Sequence, residues 1–143
     1  MLLCERAGDV RDRPFPAIKE SIEIGIKPVC DVLNSIEGVR TVWSCEGHPE
    51  RPSRPYVTFL APEATAYQVH RLLGAGRGDG TLQYCWWLIA NFRDDGLLQY
   101  TIEPNDYRLR DNRHRWWSTY QWNKKAMDAE LIRLAVLLTQ LRR

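Results

Sequence analysis

No run in this 143-residue chain comes near the roughly 20 consecutive apolar residues that a bilayer-spanning helix needs. That rules out a helical membrane protein. The opening stretch, MLLCERAGDVRDRP, has no basic segment ahead of an apolar core, so it does not have the build of a secretory leader, and the expectation is a soluble, cytoplasmic protein. Cysteine is sparse and unpatterned. Cys4, Cys30, Cys45 and Cys85 form neither paired metal knuckles nor a disulfide framework, which leaves free thiols in a reducing compartment. A strong charge imbalance is also missing, with 20 Lys and Arg against 18 Asp and Glu. The total conceals a polarity, however: residues 105–143 hold nine Lys or Arg against four Asp or Glu. That excess points to an anionic partner, or to the solvated face of a helix.

What the chain does have is 44% hydrophobic residues, enough at this length for one domain with a core of its own. KPVCDVLNSIEG predicts a helix, with Pro28 in its first turn, Val29, Leu33 and Ile36 on one face and Gly38 as its stop. A strand, VRTVWSC, follows; a proline-rich loop then leads to a second strand, YVTFLA. PEATAYQVHRLLGAG predicts another helix, starting at Pro62 and ending at Gly74, after which GAGRGDG breaks the chain. TLQYCWWLIANF is strongly β-prone, with Leu82, Tyr84, Trp86, Leu88, Ala90 and Phe92 on one apolar face. RDDG predicts a hairpin turn, and LLQYTIE returns with Leu98, Tyr100 and Ile102 facing a core.

The expected fold is therefore α+β: two helix-strand-strand units form a four-stranded antiparallel or mixed sheet with helices on one face, followed by a C-terminal amphipathic helix. All 143 residues fit a single domain, with an N-terminal arm over 1–16 and a basic helical segment over 105–143. No residue pattern is shared between the two units, so the repeat is architectural. The sheet's second face would expose Gln83, Cys85, Trp87, Gln99, Thr101 and Glu103 unless the last helix covers it. In that last segment Met127, Leu131, Leu134, Leu138 and Leu141 recur at helical spacing.

The motif that stands out is WSCEGHPERPSRPY. Its prolines, Pro49, Pro52 and Pro55, recur every third residue and predict a polyproline II path that would set His48, Arg51 and Arg54 in one row, about 9 Å apart. A phosphate could lie along such a row; a plain rigid connection is the alternative. Cys45 precedes it, close to His48, and Glu46 could orient that histidine for a nucleophilic thiolate. Cys45 in a structural or ligand-contacting role is the competing reading. A zinc site from Cys45, His48 and Cys85 lacks the fourth ligand that a closed structural site needs, so no metal is expected. Farther on, Arg108, Arg110, Arg113, His114 and Arg115 interleave with Trp116, Trp117, Tyr120 and Trp122, ahead of Lys124 and Lys125. Cations among flat rings suit single-stranded nucleic acid. Aromatics at a helix start also anchor helices to a core.

Around the thiol, VLNSIEGVRTVWSCEGHPE resembles the region of the Ser-Ser-Cys-Ser-Gly-Arg motif in the tRNA wybutosine-synthesis methyltransferase family, the third enzyme of that pathway. Ser44, Cys45 and Gly47 match the motif and Asn34 takes the family's helix position, while Trp43, Glu46 and His48 stand where the motif has serine, serine and arginine. The similarity covers about residues 28–60, with looser agreement in element order to about 104. The resemblance implies RNA and S-adenosylmethionine as partners and modification of a nucleoside at the Cys45 loop. Three expectations stand together. The first is an RNA- or nucleotide-binding module whose ligand site is Ser44, Cys45, Glu46, Gly47, His48, Arg51 and Arg54, with Arg113, Arg115, Trp116, Trp117, Lys124 and Lys125 as a second contact. The second is a tRNA-modifying enzyme of the resembled type. The third is a phage or mobile-element protein that binds and inhibits a host protein through its aromatic and basic surface. A homodimer through the C-terminal helix is compatible with each.

Overall fold

The computed structural model of the protein describes residues 22–50, 53–109 and 122–142. The expected N-terminal arm and most of the basic run after Leu109 lie outside them. The chain order is α1 (Lys27–Asn34), β1 (Arg40–Cys45), β2 (Tyr56–Leu60), α2 (Glu63–Gly78), β3 (Trp86–Phe92), β4 (Leu98–Pro104) and α3 (Lys124–Leu138). Two short 3-10 turns, Tyr107–Leu109 and Thr139–Leu141, complete it.

The four strands pair in the order β1-β2-β4-β3, and every pairing is antiparallel, which settles the choice between an antiparallel and a mixed sheet. Two hairpins are thus joined through a β2–β4 seam, and β2-α2-β3 becomes a split β-α-β unit with β4 between its strands. α1 packs on β1, α2 packs on β3, and α3 lies against both of these helices. Together they bury one continuous core: Val57 and Phe59 from β2, Tyr100 and Ile102 from β4, Val29 and Leu33 from α1, Val69 and Leu73 from α2, and Met127, Leu131, Leu134 and Leu138 from α3. The stripe predicted for the last helix is therefore satisfied within the chain.

Strand pleating sends the alternate residues to the opposite face. Two rows cross the sheet there. One runs Trp43, Thr58, Thr101, Ile89, with the two threonine hydroxyls hydrogen-bonded at 2.8 Å. The next, reached by continuing the register, runs Cys45, Tyr56, Glu103, Trp87. All three helices pack into the core on the other face.

Two expectations shift, each for a physical reason. α2 runs on through Gly74 and Gly76 to Gly78, so the glycines do not break the chain at 74. Gly76 is buried at the α2–α3 crossing, where a Cβ would sit 2.7 Å from Leu137 Cδ2. A small residue serves there to let α3 approach. β3 begins at Trp86, five residues later than the β-prone run predicts. The amides ahead of it bond elsewhere: Leu82 N–H donates to Gly76 O, Gln83 and Tyr84 to the Glu130 carboxylate, and Cys85 to Asp106. With their donors taken, these residues do not join the ladder.

Candidate functional site at the end of β1 and on the open sheet face

β1 delivers Ser44 and Cys45 to opposite faces. Ser44 turns inward and its hydroxyl bonds the Cys30 thiol, whose pKa burial pushes up and this bond partly restores. Cys45 turns outward, with its Sγ 3.0 Å from Ser53 Oγ and accepting from Gly47 N–H at 3.4 Å. Gly47 itself is buried at φ +82, and a Cβ there would lie 2.8 Å from Pro55 Cδ and 3.0 Å from the Trp122 ring. Only glycine holds this turn without strain. Trp122, expected among the contact aromatics, is a core residue beneath the loop.

The loop does not continue as polyproline II. His48 N–H donates to Ser53 O at 2.8 Å, forming an isolated antiparallel bridge that folds the chain back on itself. His48 therefore leaves the expected row. Its Nε2 lies 2.7 Å from Glu23 Oε2, and its Nδ1 is 3.5 Å from Glu50 Oε1. Arg54 is solvent-exposed, and Arg51 lies outside the described residues.

Glu23, from the segment before α1, ties this corner together. Besides His48, it accepts from Glu46 N–H at 3.1 Å. Glu46 does not orient His48; its carboxylate accepts from Gly25 N–H at 2.7 Å and pairs with Lys124 at 3.4 Å. Desolvation works against the Lys124 ammonium, but Asp128 and Glu46 outweigh it and hold its pKa above the ordinary lysine value. Lys124 thus clamps α3 to the Cys45 loop, whereas its neighbour Lys125 is solvent-exposed. Arg113, Arg115, Trp116 and Trp117 lie outside the described residues. The structure brings together a carboxylate, a thiol and an imidazole: a ligand atom from each of Glu23, Cys45 and His48 lies within 4.8 Å of the other two. Nothing local in the sequence marks Glu23, which reaches the site through the turn that leads into α1. Cys85 is not part of this group; it precedes β3, the opposite edge strand, where Arg77 Nε donates to its sulfur at 3.3 Å.

Beside this corner, the face that the helices leave open among the described residues carries two indoles on its two edge strands. Trp43 of β1 is 49% exposed and Trp87 of β3 is 43% exposed, with Trp87 Nε1 donating to Glu103 at 3.1 Å. A separate open groove of about 610 Å³, lined by Ile36, Gly38, Pro62, Thr65, Gln68 and Leu141, lies at the other end of β1. The six residues of β1, about 17 Å of strand, separate it from Cys45.

These features define an antiparallel α+β domain with helices on one face of its sheet, indoles on the other, and a mixed carboxylate-thiol-imidazole cluster at one edge. Comparison with protein-family models, with curated proteins and with solved structures finds no match to this chain. Among the described residues no helix is long and apolar enough to cross a membrane.

Proposed function

We propose that the protein binds single-stranded RNA on the open face of its sheet. The observation that carries this reading is the pair of half-exposed indoles, Trp43 and Trp87, on the face of the sheet away from the helices. Flat rings on a rigid antiparallel sheet are the stacking platform that single-stranded bases use, and the half-buried Thr101, Gln99 and Glu103 between them offer hydrogen-bonding groups to base edges. Four strands spaced about 4.8 Å apart put the two edges about 14 Å from each other, enough for more than one base between them. Arg113, Arg115 and the exposed Lys125 supply the phosphate contacts in this reading, while Lys124 stays committed to Glu46 and Asp128. Methyl transfer, which the resemblance adds, is a separate step that needs S-adenosylmethionine.

The test is a fluorescence titration of the full chain with a short oligouridylate, followed by tryptophan quenching. Trp43→Ala and Trp87→Ala should each weaken binding by about 1 to 3 kcal/mol, the range for one lost stacking partner. A wild-type protein that binds no oligonucleotide, or a double variant that binds as tightly as wild type, removes RNA from the open face.

A further inference from the structure

We propose that Glu23, Cys45 and His48 form a binding site for a divalent transition metal of the zinc class. The three donors differ in type, and together they match one kind of ion. Thiolate and imidazole favour a borderline-soft cation over magnesium or calcium, and a carboxylate completes a set that zinc accepts. Their ligand atoms lie within 4.8 Å of one another, although they come from the segment before α1, the end of β1 and the loop that follows. Tetrahedral zinc holds sulfur at about 2.3 Å and nitrogen or oxygen at about 2.0 to 2.2 Å, so its ligand atoms sit about 3.3 to 3.7 Å apart. Small side-chain rotations close the longer gaps, and the 2.7 Å contact between His48 Nε2 and Glu23 Oε2 opens by less than an ångström.

The surroundings are also those of a metal site. Gly47 N–H points at Cys45 Sγ and the Ser53 hydroxyl lies 3.0 Å from it, so both can donate to a metal-bound thiolate. Glu23 Oε1 accepts from the Glu46 amide, which fixes the carboxylate's orientation, and Glu50 stands 3.5 Å from the second His48 nitrogen. Partners of this kind orient ligands and raise their basicity. The Glu23 side chain is 36% exposed, which leaves the ion a path of entry. Three protein ligands leave the fourth position of a tetrahedron open, the arrangement of zinc sites that bind an exogenous molecule.

Cobalt(II) is the probe, because a sulfur ligand gives it a charge-transfer band and a tetrahedral site gives intense visible bands. The full-length protein should take up about one equivalent of cobalt with both signatures, and zinc should displace it. Cys45→Ser should abolish the charge-transfer band, while Cys4→Ser and Cys85→Ser keep it. His48→Gln and Glu23→Gln should each weaken affinity about tenfold or more. Zinc should also slow alkylation of Cys45 in the wild type, and about tenfold more zinc or above should be needed for the same protection in His48→Gln, a reading that holds even if Cys45→Ser misfolds. No band in the wild type, a band that survives Cys45→Ser, or unaltered affinity in both His48→Gln and Glu23→Gln would overturn the assignment.

Discussion

Two carboxylates in this protein hold the chain beside a strand end, and they are set very differently. Glu130 on α3 is fully buried, and its oxygens receive donors from Gln83 N–H (3.1 Å), Tyr84 N–H (2.6 Å), Trp86 Nε1 (3.3 Å) and Arg133 Nε (3.1 Å). Glu23 is partly exposed and receives His48 at 2.7 Å and the Glu46 amide at 3.1 Å. A carboxylate has about four lone-pair positions. Glu130 uses them all on its own chain and so acts as a buried post that shapes the entry to β3. Glu23 keeps capacity to spare next to a thiol and an imidazole. Among buried and half-buried acids, saturation by protein donors separates structural groups from groups able to receive a ligand.

The contrast can be broken most severely at Glu130. Glu130→Ala leaves four donors without their acceptor and should cost about 3 to 5 kcal/mol in urea unfolding, with Glu130→Gln losing less. An effect under about 1 kcal/mol would mean that the post is dispensable. Next in size is the apolar packing beside it, where Leu134→Ala should lower stability by about 2 to 5 kcal/mol. On the Glu23 side, Gly47→Ala forces a side chain into a left-handed turn against Pro55 and should cost about 1 to 3 kcal/mol. A thermal melt that does not move would show that the turn relaxes.

A smaller, pH-dependent effect sharpens the comparison at Asp106. Hydrogen bonds from Arg108, then from the Cys85 and Arg108 amides, hold this carboxyl well below the usual carboxylate range despite its burial. Its folded pKa is depressed, so the stability it contributes is complete above the unfolded value of about 3.9 and is lost as pH falls below about 4. Asp106→Asn should flatten this acid limb in melts taken between about pH 2 and 5. The smallest effect belongs to Glu23, where Glu23→Gln should stay within about 0.5 kcal/mol of wild type in the metal-free protein, as partly exposed substitutions do.

Much of the fold was legible because burial leaves a period in the sequence. Met127, Leu131, Leu134 and Leu138 mark α3, and Leu98, Tyr100 and Ile102 mark the core face of β4; all but the half-buried Leu98 are buried. Local signals failed where distant groups decide. Nothing in TLQYC reveals that Glu130, more than forty residues later, takes two of its amides. Glycines 74 to 78 look like a break unless the approach of Leu137 is known. At the candidate site the Cys45–His48 stretch was visible as an unusual motif, but the period-three prolines misled, because the His48–Ser53 bridge overrides their polyproline preference. Glu23 and the pairing of Trp43 with Trp87 across one face depend on the strand order, which no local pattern encodes.

The seam between β2 and β4 has a consequence for how the chain is made. During synthesis α1, β1 and β2 emerge well before β4, so β2 can pair with β1 on one side while its other side has no partner. Val57, Thr58 and Phe59 then form an open edge awaiting Ile102, Thr101 and Tyr100. Such an edge, two of whose side chains are destined for the core, is a template for another chain. The nascent protein is thus most vulnerable to aggregation in the interval between the emergence of β2 and the arrival of β4, and a slow decoding step placed between those strands would lengthen that exposure.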